Sequence, residues 1–297
     1  MKTLNILSLA PLTVLPASPL AVIDAAHAAG FDAVGLRLQP VMPTDVDVMS
    51  NATLLRDIER RLAATGLKVL DIEVFRVGPR TDIGSMLPAM EFAGALGAKY
   101  MLCTSVLVAE HFAAEEPRMV EKFAELCEAG ARLGIKPMLE FMIYRSVGTL
   151  EDALRMVKLV QHPNLGICVD ALHLSRSGGN PDSLRKVDPG LLCYAQLCDA
   201  PAALPPAAQI PVEARSHRLY PGEGSLPLLE LLEALPPGIP LSLEAPAAAT
   251  RISPSCSARR RSLAAPASCS RRTRLTGAPR SYNARSKIRS SERPALR

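Results

Sequence analysis

Short apolar runs alternate with amphipathic stretches along most of the chain. LNILSL (4–9) leads to Ser18-Pro19, an N-cap and first-turn proline for a helix whose Leu20, Ile23 and Ala26 stripe stops at Gly30. FDAVGLRL (31–38) follows that glycine as a strand. The unit then recurs: a helix over 54–65 stops at Gly66 before LKVLDIEVF, and one over 82–96 stops at Gly97 before AKYMLCT. A longer helix opens at Glu116-Pro117, carries Met119, Val120, Phe123, Leu126, Cys127, Gly130 and Ala131 at helical spacing, and stops at Gly134 before IKPMLEF. Thr149 caps LEDALRMVKLV ahead of LGICVDA, a weaker helical stretch near 181–187 precedes LLCYAQLCD, and LPLLELLEALP precedes IPLSLEA.

Eight strands, near positions 4, 32, 67, 98, 135, 165, 191 and 239, with helical segments between them, imply an α/β fold with a parallel sheet. At this repeat number the expectation is a (β/α)8 TIM barrel over residues 1–250, with an open doubly wound sheet as the alternative. After Ala245 the periodicity stops. Residues 251–297 are rich in Arg, Ser, Pro and Ala and carry no sustained apolar stripe, so they read as a disordered basic tail. The eighth helix is therefore expected to be missing or replaced by that tail. Its absence favours a shifted reading frame over a genuine extension. At the other end, Lys2 and the apolar residues after it suggest a signal peptide, but Pro11, Pro16 and Pro19 interrupt the stretch and favour strand plus helix.

Charge sharpens this division. The net charge of +5 hides a body, residues 1–250, with 21 of the 34 Lys and Arg and 28 of the 29 acids, and a tail with 13 basic residues against Glu292. A mildly acidic body gives no reason to expect nucleic-acid binding. Seven cysteines form no CxxC pair, and most of the first five lie in apolar runs, as in a reduced, cytoplasmic protein. No run of 18 apolar residues predicts a membrane span.

Four of the apolar runs end in an oxygen-bearing side chain: Glu140 closes KPMLE, Asp170 closes LGICVD, Gln196 lies in LLCYAQLCD, and Glu244 closes PLSLE. In a parallel barrel the C-terminal strand ends meet at one mouth, where catalytic residues stand. Three carboxylates and an amide oxygen there would form a hard, oxygen-only site that suits one Mn²⁺ or Mg²⁺ better than Zn²⁺. The bland reading is that each acid caps a loop or pairs with an arginine. His173, three residues after Asp170, is a candidate proton donor or substrate ligand. Arg218, ahead of Gly222-Glu223-Gly224, is a candidate for binding a substrate carboxylate or hydroxyls, the glycines letting the backbone approach the ligand. Arg76, Tyr144 and Arg145 are weaker candidates of the same kind, and Asp199 either orients a neighbour or caps its loop.

HPNLGICVDALH, YAQLCDAP, RLYPGEGSLPL and PLSLEAP resemble the second half of the xylose isomerase-like barrel superfamily, the sugar phosphate isomerase/epimerase group. The resemblance covers about residues 4–247 and is weaker in the first half. It implies that Glu140, Asp170, Gln196 and Glu244 match metal ligands that are usually Glu, Asp, His and Glu, and that Glu140 and Glu244 also shuttle protons. Gln196 departs from the usual histidine. A Gln followed by Asp-Ala-Pro, with Arg-x-x-Pro-Gly-x-Gly downstream, Phe75-Arg76 after the third strand and His173 after Asp170, is similar to bacterial 3-dehydroshikimate dehydratases. MIYRSVGT departs from that subgroup, because Ser146 stands where a histidine is expected.

The expectation is a metal-dependent isomerase or epimerase of a sugar, sugar phosphate or cyclitol, working through a metal-stabilised enolate. Its substrate is a small polyhydroxylated carbonyl compound, and self-association stays open. The alternative is a 3-dehydroshikimate dehydratase-like lyase, in which loss of a β-hydroxyl follows enolate formation. A DNA-repair endonuclease would need many histidine ligands, and this chain has five histidines in all. An inactive, truncated barrel is the remaining reading.

Overall fold

A computed structural model of the chain describes residues 5–110 and 113–246. The expected basic tail, the boundary at 250/251 and any helix after the last strand lie outside these residues. Eight parallel strands close on themselves in sequence order: β1 Leu7–Leu9, β2 Ala33–Leu36, β3 Lys68–Val77, β4 Tyr100–Ser105, β5 Lys136–Glu140, β6 Gly166–Asp170, β7 Leu192–Leu197 and β8 Leu241–Leu243. Closure is made by β1 against β8, with Ser8 opposite Ser242. The fold is the (β/α)8 barrel that the alternation predicts.

The helices are α1 Pro19–Ala28, α2 Ala52–Thr65, α3 Leu87–Ala95, α4 Glu116–Leu133, α5 Leu150–Val160, α6 Ala171–Arg176, α7 Pro181–Leu184, α8 Ile210–Ser216 and α9 Leu228–Ala234. Ser18, Asn51 and Thr149 cap α1, α2 and α5 with their side chains. α2 and α4 stop at Gly66 and Gly134, whose φ of 71° and 69° a side chain would resist. Four segments depart from expectation. The helix expected over 82–96 is a 3₁₀ turn, Ile83–Met86, followed by α3, because Pro88 is tolerated only in a first turn. α6 begins at once after β6, with Asp170 as its N-cap, and is too short for periodicity to reveal. The expected stretch at 181–187 is the single turn α7, and α8 lies unforeseen within the long connection from β7 to β8.

The core has two parts. Most buried apolar side chains, among them Ile23, Ile58, Met90, Phe123 and Ile167, pack between the strands and the helical layer. A smaller set, Ala33, Leu70, Leu102, Met138, Cys168 and Tyr194, fills the barrel interior. Polar groups share that interior: Ser8, Asp71, Glu73, Thr104, Gln196 and Ser242 are all buried. Five cysteines among the described residues are free. No helix of the described residues is long and apolar enough to cross a membrane.

Candidate metal and substrate site

Register sets the site. Thr104 pairs with Glu140 across β4 and β5, and Asp170 pairs with Gln196, which pairs with Ser242, across β6, β7 and β8. Parallel partners in register point to the same face of the sheet. Glu140 ends β5, Asp170 ends β6, and Glu244 follows β8 directly. The result is that Glu140, Asp170 and Glu244, all buried, bring carboxylate oxygens within 4.8 Å of one another. Gln196 stands beside Asp170, fully buried. Its Oε1 accepts a weak bond from Cys168 at 3.6 Å, and its Nε2 has no partner.

Arg218 arrives from the connection between β7 and β8 and is as buried as the acids. Its Nη1 donates to Asp170 Oδ2 at 2.6 Å and its Nη2 lies 3.0 Å from Glu244 Oε2. Backbone carbonyls of Ala214 and Glu244 accept from it as well, at 2.7 and 3.1 Å. The arginine singled out as a substrate ligand thus directs its hydrogen bonds to the acids and the backbone around them. The other Asp170 oxygen, Oδ1, accepts from the backbone N–H groups of Leu172 and His173.

These contacts divide the acids. Burial, then the neighbouring Glu244 and Asp170 charges, push the Glu140 carboxyl well above its ordinary range. Burial likewise raises Glu244 to about 8, with Glu73 and Asp170 adding to the rise and Arg218 opposing it. Burial also works against a charged Asp170, but Arg218, His173 and the backbone N–H bond outweigh it and hold this carboxyl low. His173 Nε2 lies 3.8 Å from Glu140 Oε1. Its burial lowers it to about 4, so it is a neutral imidazole at physiological pH.

Glu140 and Glu244 open onto a cleft with about 590 Å³ of empty space, part of it open to solvent. Glu140, Glu244, His173 and Arg218 line it, together with Arg76, Tyr144 and Arg145. The Tyr144 ring meets His173 edge to face at 6.0 Å between centroids, and Arg145 stands 6.0 Å over the Tyr144 ring. Arg145 Nη1 donates to the Ser105 carbonyl at 3.2 Å. Neither Arg76 nor Arg145 has a carboxylate partner among the described residues.

Two other candidates have structural work instead. Asp199 accepts from the backbone N–H groups of Ala200, Gly222 and Leu226 and so folds the connection after β7. Gly224 packs onto it, since a Cβ there would stand 2.4 Å from both the Ala200 carbonyl and Asp199 Oδ1. Gly224 therefore serves the packing of its own loop, and Gly222 donates to Asp199 from a φ of 88°. Ser146 Oγ reaches only Met119 Sδ, at 3.9 Å.

Sequence reasoning missed Arg37, Glu73 and Thr104, which also line the cleft. Glu73 is buried on β3 and pairs with Arg37 at 3.4 Å; Arg37 in turn pairs with Asp45. The available signal was in LKVLDIEVF, where acids at 71 and 73 recur with strand period inside an apolar run.

A family model described as xylose isomerase-like TIM barrel matches residues 23–264. The chain belongs to the xylose isomerase-like TIM barrel family. Among curated members, a 3-dehydroshikimate dehydratase of Pseudomonas aeruginosa is 28% identical over 69% of this chain and 32% of its own length. An inosose isomerase of Bacillus subtilis is 29% identical over 49% of this chain and 52% of its own length. The matches thus span about a third and about half of these xylose isomerase-like relatives. A crystal structure of IolI protein with a binding zinc atom superposes with a TM-score of 0.72, at 20% identity, over 89% of this chain and 96% of that one, a likeness of fold.

The residues present fit a divalent cation. Glu140 Oε1 is buried without a hydrogen-bond partner, and three carboxylates with one guanidinium leave two negative charges, the charge a divalent ion cancels. Gln196, next to Asp170, would add a fourth oxygen donor.

Proposed function

We propose that the protein is a metal-dependent isomerase or epimerase of a polyhydroxylated carbonyl compound, a sugar, sugar phosphate or cyclitol. The observation that carries this reading is the convergence of Glu140, Asp170 and Glu244 at the strand ends that line a substrate-sized cleft. Glu140, Asp170, Gln196 and Glu244 would hold the ion, and this oxygen-only set favours Mn²⁺ or Mg²⁺. When bound, a divalent ion polarises the substrate carbonyl and so acidifies the neighbouring C–H.

The chain's own groups supply the proton traffic. Glu140 ends β5 and Glu244 follows β8, and burial raises the proton affinity of both carboxyls, as suits groups that take a proton from carbon and return it. Neutral His173 stands 3.8 Å from Glu140 with neither ring nitrogen hydrogen-bonded, so it is free to meet a substrate hydroxyl beside that carboxylate. Arg218 holds Asp170 ionised, so that this acid serves as ligand and not as proton carrier. Return of the proton gives an isomer or epimer.

A second reading, a 3-dehydroshikimate dehydratase-like lyase, is favoured by Gln196 and by Arg76 and Arg145, which face the cleft without a carboxylate partner among the described residues and suit an acidic substrate. The test is to incubate the protein with Mn²⁺ in D₂O with inosose and, separately, 3-dehydroshikimate. Deuterium at the carbon next to the carbonyl with an isomerised product supports the first reading, and protocatechuate absorbance supports the second. Neither exchange nor product at high enzyme concentration refutes both for these compounds.

A further inference from the structure

Glu73 is a buried acid in a position to touch a ligand, and nothing above gives it a task. The ladder between β3 and β4 shifts register between Ile72 and Phe75, and Glu73 lies in the shifted segment. Such irregularities re-aim side chains; here the carboxyl lines the cleft, with Glu140 of β5, Glu244 just after β8 and His173 of α6 on its other walls. β3 stands across the closed barrel from β7, so Glu73 faces the ligand from the wall opposite Gln196. Its Oε1 accepts from Arg37 Nη2 at 3.4 Å, and Arg37 is itself anchored by Asp45, whose Oδ2 also accepts from the backbone N–H groups of Val41 and Met42 at 2.9 and 2.8 Å. One carboxylate oxygen is thereby fixed. The other, Oε2, is buried with no partner of full hydrogen-bond geometry, although the Leu12 backbone N–H is close enough to the carboxyl to favour its ionised form. Thr104 Oγ1 also has no hydrogen-bond partner, buried on β4 and lining the same cleft. Two buried polar atoms left unpaired in one cavity are costly unless a ligand or water completes them.

The two atoms differ in what they accept. An ionised carboxylate oxygen only accepts, whereas a threonine hydroxyl both donates and accepts. A substrate hydroxyl suits either atom, since it can donate to an ionised Glu73, accept from a protonated one, and do both with Thr104. We propose that Glu73 and Thr104 form a hydroxyl-reading subsite that selects substrates carrying a hydroxyl on a carbon remote from the reacting carbonyl. This rests on the metal-dependent reading above, which places the carbonyl end of the substrate at Glu140 and Glu244.

The test measures binding of inosose and of its single-deoxy analogues to the Mn²⁺-loaded full chain, wild type against Glu73→Gln and Thr104→Val, by calorimetry. For one deoxy position the wild type should lose roughly 10- to 100-fold in affinity, the scale of a hydrogen bond to a charged group. Glu73→Gln should cut that deoxy penalty to within about threefold while binding Mn²⁺ as the wild type does. Thr104→Val, which leaves the Glu73 pair with Arg37 in place, should reduce the same penalty and no other. A deoxy penalty equal in wild type and both variants overturns the subsite, as does failure of the wild type to bind inosose at all. Binding that responds to Glu73 without any solvent exchange at carbon upholds the subsite and refutes only the enzymatic reading.

Discussion

Replacing Arg218 by methionine separates the roles of the acids it touches. The side chain is almost fully buried and pairs with Asp170 at 2.6 Å and Glu244 at 3.0 Å. Removing one partner of a buried ion pair costs about 3–5 kcal/mol, because the charges left behind are neither paired nor hydrated. For a domain of this size, at about 2–4 °C per kcal/mol, the metal-free variant should melt roughly 6–20 °C lower than wild type. The deficit has a defined pH dependence. Arg218 holds the Asp170 pKa below its ordinary value, so this stabilisation is complete above the ordinary carboxylate range and is lost as pH falls through the folded-state pKa. The gap between variant and wild type should therefore be widest near neutral pH and narrow in acid. Mn²⁺ should reverse part of it: without the guanidinium the net charge of the site is one unit more negative, so the ion should raise the melting temperature more in the variant than in wild type. Differential scanning calorimetry with and without Mn²⁺ reads all three effects. A drop below about 2 °C, or a Mn²⁺-induced shift no larger than that of wild type, would refute the claim that Arg218 stands in for part of the cation charge.

Three further outcomes follow from the structure. Glu244 is raised to about 8 and Glu73 and Asp71 to about 7, in each case first by burial, so the stability these groups contribute is fully present below their unfolded values near 4 and is lost as pH rises through 7–8. The metal-free protein should accordingly unfold more readily at pH 9 than at pH 6, while Mn²⁺, which must displace protons from Glu140 and Glu244, should bind more tightly as pH rises from 6 to 8, by up to about tenfold per pH unit for each proton released; a flat calorimetric affinity profile would count against these protonated acids as ligands. Gly224→Ala should cost about 1–3 kcal/mol in urea unfolding at unchanged Mn²⁺ affinity, because its Cβ would meet the Ala200 carbonyl and Asp199 at 2.4 Å, and an unchanged midpoint would contradict that packing.

The barrel was legible because its signals are local. Gly66 and Gly134 stop helices wherever they occur, and strands such as KPMLE and LGICVD are apolar on both faces, as strands buried on both sides must be. The acids at their ends could be read for the same reason, since strand position in a barrel determines which residues meet. What the sequence does not encode locally is partnership. Nothing near Arg218 in the chain indicates that it turns onto Asp170, 48 residues earlier, and so it read as a free substrate ligand. Glu73 was overlooked although it recurs with Asp71 at strand period, because acids inside one strand do not show that they meet the ends of β5 and β8 in a common cleft. Asp199 and Gly224 showed the reverse: a motif that looked functional from its glycines closes a loop by hydrogen bonds of its own.

The central claim is the identity of the metal ligands, and anomalous diffraction from crystals soaked in Mn²⁺ tests it most directly. One strong anomalous peak per chain is expected at the barrel mouth, within about 2.0–2.6 Å of carboxylate oxygens of Glu140, Asp170 and Glu244 and of the Gln196 side-chain oxygen. No peak at that mouth, or a peak held by other residues, would contradict it.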